Sequence, residues 1–210
     1  MLLKLIINSL EINIFLYIFV LLKKINKMIS EEIKNKNLQL FFKKLSDVGV
    51  NTDILQQLYG DKLLNATYAM QLDTNLAYDG SLINTLLRVL TPLAININNL
   101  LSEDKKCDNN IVIKIALLHQ IAKCTMFEHN TNQWEVDNRG MAYKYAKYDA
   151  AIKLGARSIA ICSECGIKLS PIEIEAMLIN DRDDDQSRYF SNVLSIVIKN
   201  ANELTNLQTK

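Results

Sequence analysis

Apolar residues recur every three or four positions along most of the chain beyond residue 28, the spacing of helices that bury one face. Between residues 28 and 46, Ile33, Leu38, Leu40, Phe41 and Leu45 fall among lysines and predict an amphipathic helix. "VNTDILQQLYG" predicts a short helix, capped by Asn51 or Thr52 and stopped at Gly60. A turn at Gly80 leads into "YDGSLINTLLRVLTPLAININNLL", a long and mostly buried helix that Pro92 should kink or break. The polar run "SEDKKCDNN" reads as a solvated loop. After it, "NIVIKIALLHQIAK" is the most hydrophobic helix of the domain proper, and so belongs at its centre.

The pattern then changes. "TMFEHNTNQWEVDN" holds two β-prone runs, 126–128 and 133–136, on either side of Asn130-Thr131-Asn132, and predicts a small β-hairpin. "RGMAYKYAKYDAA" reads as a polar, tyrosine-rich loop before a helix over 155–165, which Gly166 ends. In "KLSPIEIEAMLIN", Ser170 is the expected N-cap, Pro171 the first helical residue and Glu173 the third, a capping box. "DRDDDQ" is an acidic loop, and "SRYFSNVLSIVIKNANELTNL" the closing helix. The expected architecture is all-α, a helical bundle of about seven or eight helices with a small β-hairpin insertion. No internal repeat or low-complexity linker divides residues 28–210, which read as a single domain.

Composition supports this picture and narrows the chemistry. Six glycines and two prolines in 210 residues leave little punctuation for an all-β fold, and 49% hydrophobic content suffices for one core. Lysine and arginine number 24 against 23 acidic residues, a net charge of +1, so no global electrostatic footprint points to nucleic acid or an anionic membrane. Of Cys107, Cys124, Cys162 and Cys165, only the last two form a C-x-x-C pair, and two thiolates do not close a zinc tetrahedron. Buried, reduced, structural cysteines in a reducing compartment are expected.

Residues 1–27, "MLLKLIINSLEINIFLYIFVLLKKINK", are the most hydrophobic stretch of the chain. The uninterrupted apolar run from Ile14 to Leu22 is too short to span a bilayer, and "KKINKM" stands where a signal peptide would need small residues. A helix docked on a partner or on the core is the first reading and a dispensable extension before a start at Met28 the second. A membrane anchor is the third.

Two histidines, His119 and His129, exclude mechanisms that need several. His129 is expected to be exposed in the hairpin turn, and His119 to be a hydrogen-bonded core residue. "DRDDD" lacks the glycine and closing glutamate of an EF-hand loop. No P-loop, dinucleotide fingerprint or nucleophile elbow occurs.

The order of segments carries more. A "Y-x-G-x-L" helix, an "LLH-x-IAK" helix, a hairpin, a "G-x-[KR]-S" helix, a "KL-[ST]-P" helix and a final helix resemble, from about Tyr78 to Asn206, the HD-domain superfamily of metal-dependent phosphohydrolases. The likeness is greatest to the short stand-alone HD proteins of gut bacteria and their phages. In that family, histidines and aspartates converge inside the bundle on one or two divalent metals, whose bound water attacks a phosphoester. The resemblance implies that most of that set is replaced here. Thr85 stands for the first-helix histidine, and His119 is retained while Gln120 replaces the aspartate of the His-Asp doublet. Leu154 and Asn180 stand where histidines are expected, Asp181 matches, and Lys199 and Asn202 replace a final histidine and aspartate. Amides, a hydroxyl and an ammonium do not neutralise or hold a dication. A vestigial pocket with no catalytic residue, metal or cofactor is therefore expected, with Lys199 neutralised by hydrogen bonds or by Asp181.

The function that follows is a non-catalytic structural or protein-interaction module. Its expected partner is a protein or a second copy of the chain. The abundance of Ile, Asn and Lys, as in AT-rich phage genes, makes a virion or assembly accessory protein the specific form, located in the cytoplasm or the virion. The alternative is a nucleotide sensor or residual phosphohydrolase in the degenerate pocket, with Lys199 and Arg157 on phosphate and His119 as acid or base.

Overall fold

Ser30 opens the first helix by accepting a hydrogen bond from the Ile33 amide through Oγ, and α1 runs over Glu31–Asp47. This is a computed structural model that describes residues 29–147, 152–181 and 192–208, apart from the side chains of Asp73, Asn180 and Gln208. The apolar segment 1–27, Met28 and the run 182–191 lie outside the described residues. Phe41, Phe42 and Leu45 bury the inner face of α1, whereas Ile33 is 48% exposed.

α2 spans Asp53–Asn65 and does not stop at Gly60. Thr52 occupies the cap position without a side-chain bond, and Asn51 Oδ1 accepts from the Asp53 amide instead. A glycine inside a helix costs about 1 kcal/mol. Burying Leu63 one turn further on, at 0% exposure, returns more than that, about 1.5–3 kcal/mol.

Gly80 enters the next helix at φ +81°, where a Cβ would meet the Lys34 side chain and the Leu64 carbonyl. α3 runs from Ser81–Thr85 through a π-helical turn, Leu86–Leu90, into Thr91–Asn99. At Pro92, where a kink or break is expected, the helix instead continues through a π turn. The Thr91 amide reaches back to Leu86, and the extra residue relieves the proline ring of the tight turn in which it would meet the preceding carbonyls. Asn98 ties down the loop that follows, donating to the Cys107 carbonyl and accepting from its amide.

α4, Asn109–Leu118, is capped by Asp108, and Val112, Ile115, Ala116, Leu117 and Leu118 are all buried completely. It packs on α1, α3 and the last two helices, as its sequence predicts. The helix ends at Leu118, however, and does not run through Lys123. The Ile121, Lys123 and Cys124 amides donate i→i−3 bonds to the Leu118, Gln120 and Ile121 carbonyls, a tightened joint before the short α5, Lys123–Met126.

The hairpin pairs β1, Phe127–His129, with β2, Tyr143–Tyr145, in antiparallel register. Residues 133–136 are not its second strand but part of α6, Gln133–Arg139, which Gly140 ends at φ +63°. The second strand falls in the stretch expected to be a loop. A strand next to β1 needs a side chain to bury, and Tyr143 supplies one at 5% exposure, whereas α6 buries none.

α7 spans Leu154–Glu164, closed by Gly166 at φ +69°. α8, Pro171–Leu178, has the capping box of Ser170 and Glu173 in full. A 3-10 turn, Ile179–Asp181, follows, and α9, Val193–Gln208, lies along α3 and α8. The molecule is thus mostly helical with one small hairpin, the predicted class. No helix among the described residues is long and apolar enough to cross a membrane. Cys124, Cys162 and Cys165 are buried free thiols, and burial pushes Cys124 and Cys162 up to about 12. Cys107 is only half-buried.

Candidate functional site

The joint after α4 sets the site. Because the chain leaves the α-helix at Leu118, His119 and Gln120 sit in a turn that keeps both inside, at 1% and 2% exposure. Gln120 Nε2 donates to Asn202 Oδ1 of α9 at 2.5 Å. The same oxygen accepts from the Tyr68 hydroxyl at 3.0 Å, and Tyr68 also reaches Asn206 Oδ1 at 3.4 Å. Lys123 closes the cluster from α5, donating to the Tyr68 carbonyl at 2.9 Å with Nζ 3.6 Å from the centre of the Tyr68 ring. Gln120 and Asn202, two of the positions the resemblance singles out, therefore meet each other directly.

His119 lies in the core, as expected. Nδ1 lies 3.2 and 3.1 Å from the Ile115 and Ala116 carbonyls, so the proton sits on Nδ1 and Nε2 is the bare acceptor. That Nε2, Gln120 Oε1 and Thr85 Oγ1 are buried without a hydrogen-bond partner among the described residues. Burial, then the Lys123 charge, hold the imidazole pKa down at about 4. Burial of its ammonium likewise lowers Lys123 to about 7, although part of the residue stays at the surface.

The other named positions are distributed more widely. Thr85 is buried at the end of the first segment of α3. Leu154 begins α7 and packs against the core. Asp181 serves the same helix end, with Oδ2 accepting from the Ala156 amide at 2.9 Å and its carbonyl from Lys153 Nζ at 2.5 Å. Lys199 is half-buried on α9 and is not a free ammonium. Asn180 lies in the 3-10 turn, and its side chain is outside the described residues. No group of three or more His, Cys, Asp or Glu that could hold a metal occurs among the described residues. The chemistry available in the cluster is hydrogen bonding between neutral amides and a phenol, beside one buried amine.

Tyr68 and Lys123 are the members that the sequence did not single out. Tyr68 sits 134 residues from Asn202 in a loop without periodicity, so no local signal marks it. Lys123 stands at the polar end of "ALLHQIAK" and looks like an ordinary helix-end lysine until the joint turns it inward.

A second concave feature lies away from this cluster. A cavity of about 540 Å³ opens between the start of α1, residues 77–79 and the hairpin. His129 is exposed as predicted, but it belongs to β1 and not to the turn, and its Nε2 lies 3.1 Å from Asp79 Oδ1. Tyr143 donates its hydroxyl to that same oxygen at 2.7 Å, and the Tyr143 and His129 rings stack at 4.7 Å. No protein-family model, curated protein or solved structure matches the chain.

Proposed function

We propose that the chain is a non-catalytic HD-like domain, a structural or protein-interaction module, of which a phage virion or assembly accessory protein is the specific form. The observation that carries this reading is the hydrogen bond from Gln120 to Asn202. At the two positions where the resemblance would place metal-binding aspartates, the side chains are amides, one donating to the other. A dication there would have to break that bond and would gain two weak, uncharged oxygen donors in return. Large apolar side chains left in solvent, Leu100 at 87%, Leu207 at 66% and Trp134 at 58%, are available for a protein partner or a second copy.

Elemental analysis of protein purified without chelator tests this reading, with less than 0.1 divalent metal per chain expected as an order of magnitude (~0.1). Stoichiometric manganese, iron or zinc overturns it. The native mass of the protein from its source should show an assembly, and a monomer that binds nothing would count against the interaction role.

One observation favours a nucleotide sensor as the second reading. His119 Nε2 and Gln120 Oε1 are acceptors left over inside the domain, and the charge of Lys123 acts on His119. A thermal-shift screen against nucleotides separates the readings. No shift supports the structural role, a shift without turnover supports a sensor, and turnover restores the enzyme.

A further inference from the structure

The cavity between α1 and the hairpin is built from groups that the reading above does not use. Its volume, about 540 Å³, is that of a small-ligand or side-chain pocket. Three rings belong to its lining, Tyr78, His129 and Tyr143, the last two in tilted contact with centroids 4.7 Å apart. Asp79 lines the cavity as well, half-buried, and one of its oxygens is fixed by the Tyr143 hydroxyl at 2.7 Å and by His129 Nε2 at 3.1 Å. No hydrogen bond engages its second oxygen among the described residues, and neither lysine nor arginine pairs with it there. The one ammonium in the lining, Lys34, is already occupied, since it donates to Asn65 Oδ1 at 2.9 Å and pairs with Glu31. The cavity therefore presents an anchored carboxylate beside aromatic rings, and the lysine of its lining is already paired.

A carboxylate held in place beside aromatic rings fits a planar, weakly hydrated cation. A guanidinium can donate to the carboxylate edge while its faces lie against the rings, whereas a compact ammonium keeps more of its water. We infer that this cavity binds a guanidinium group carried on an alkyl stem, with Asp79 as its anion and Tyr78, Tyr143 and His129 as its walls. The group can come from an arginine side chain of a protein partner or from a free alkylguanidine. The site stands on its own residues, so its failure would leave the reading of the Gln120–Asn202 cluster untouched.

The chain's two histidines make the test direct. Full-length protein is titrated with N-acetyl-arginine amide, with agmatine and with the uncharged N-acetyl-citrulline amide. Affinity is read by calorimetry and the imidazole resonances by NMR. The His129 signal should move saturably with both guanidinium probes, while that of the buried His119 stays in place. The citrulline compound should bind at least about tenfold more weakly. Asp79→Asn, which keeps an oxygen for Tyr143, should weaken the guanidinium probes by at least about tenfold, with an unchanged His119 signal showing that the variant is folded. Tighter binding of the capped arginine assigns the site to a partner's side chain, and tighter binding of agmatine to a free guanidine. Either result supports the cation site. Equal binding of citrulline, full affinity in Asp79→Asn, no saturable binding, or a His129 shift produced by inorganic phosphate would overturn it.

Discussion

Asn202 accepts two hydrogen bonds through one oxygen, from Gln120 and from Tyr68, and removing it strands the Gln120 donor and leaves Tyr68 only its longer contact to Asn206 at 3.4 Å. Asn202→Ala is therefore expected to cost about 1–3 kcal/mol in urea unfolding. Asn202→Asp keeps an acceptor for both donors, and its loss should be smaller. If the two variants are equally stable to wild type, the cluster does not hold α9 to the joint. His119 adds a pH dependence with a definite sign. Its folded pKa of about 4 lies below the ordinary 6.5, so the unfolded chain takes up the proton first as the solution is acidified. The stability it contributes is whole above about pH 6.5 and is lost as pH falls toward 4, by up to about 3 kcal/mol. His119→Gln should flatten that limb in unfolding measured across the same range, and an unchanged slope would place the proton uptake elsewhere. At this scale the sequence marked His119, Gln120 and Asn202 because helix order aligned them with a known pattern. It could not mark Tyr68, whose place in the cluster comes from a loop folding back across the bundle.

At the scale of elements, local chemistry was the most legible part of the chain. The capping box of α8 is formed by the residues that announce it, Ser170, Pro171 and Glu173, because all its bonds lie within one turn. Gly60 and the 133–136 run misled for the opposite reason, since a buried Leu63 and a better-buried Tyr143 decided those outcomes from outside the local window. The junction of α7 with α8 yields the sharpest prediction at this level. A Cβ on Gly155 would press into the Met177 carbonyl and stand 2.8 Å from Asp181 Oδ2, the oxygen that receives the Ala156 amide. Gly155→Ala should cost about 3 kcal/mol, because the obstacle is backbone that cannot swing aside. Gly49→Ala meets open space and carries only the left-handed backbone penalty at φ +83°, about 1–2 kcal/mol. Comparison of the two midpoints isolates the packing contribution, and equal losses would show that α7 can slide away from α8.

For the molecule as a whole, the all-α class follows from periodicity, whereas the state of the resembling site depends on how distant helices meet. Restoring charge at that meeting point tests both together. Gln120→Glu with Asn202→Asp preserves shape but sets two carboxylates where a 2.5 Å hydrogen bond now joins α9 to the joint. Lys123 can offset one of them, and the second is left as a buried charge that must keep its proton or repel its neighbour. The double variant should unfold at least about 3 kcal/mol more easily than wild type at neutral pH, more than either single change alone. Manganese or zinc would recover that loss only if enough further donors converged. Thr85 brings only a hydroxyl and Leu154 none, and the Asp181 carboxylate already receives the Ala156 amide at the start of α7. Added metal is thus expected to leave the midpoint of the double variant within error of its metal-free value. A rise toward wild type on adding metal would mean that the bundle still gathers a coordination sphere, and the non-catalytic reading would then have to yield to a metal site silenced at two positions.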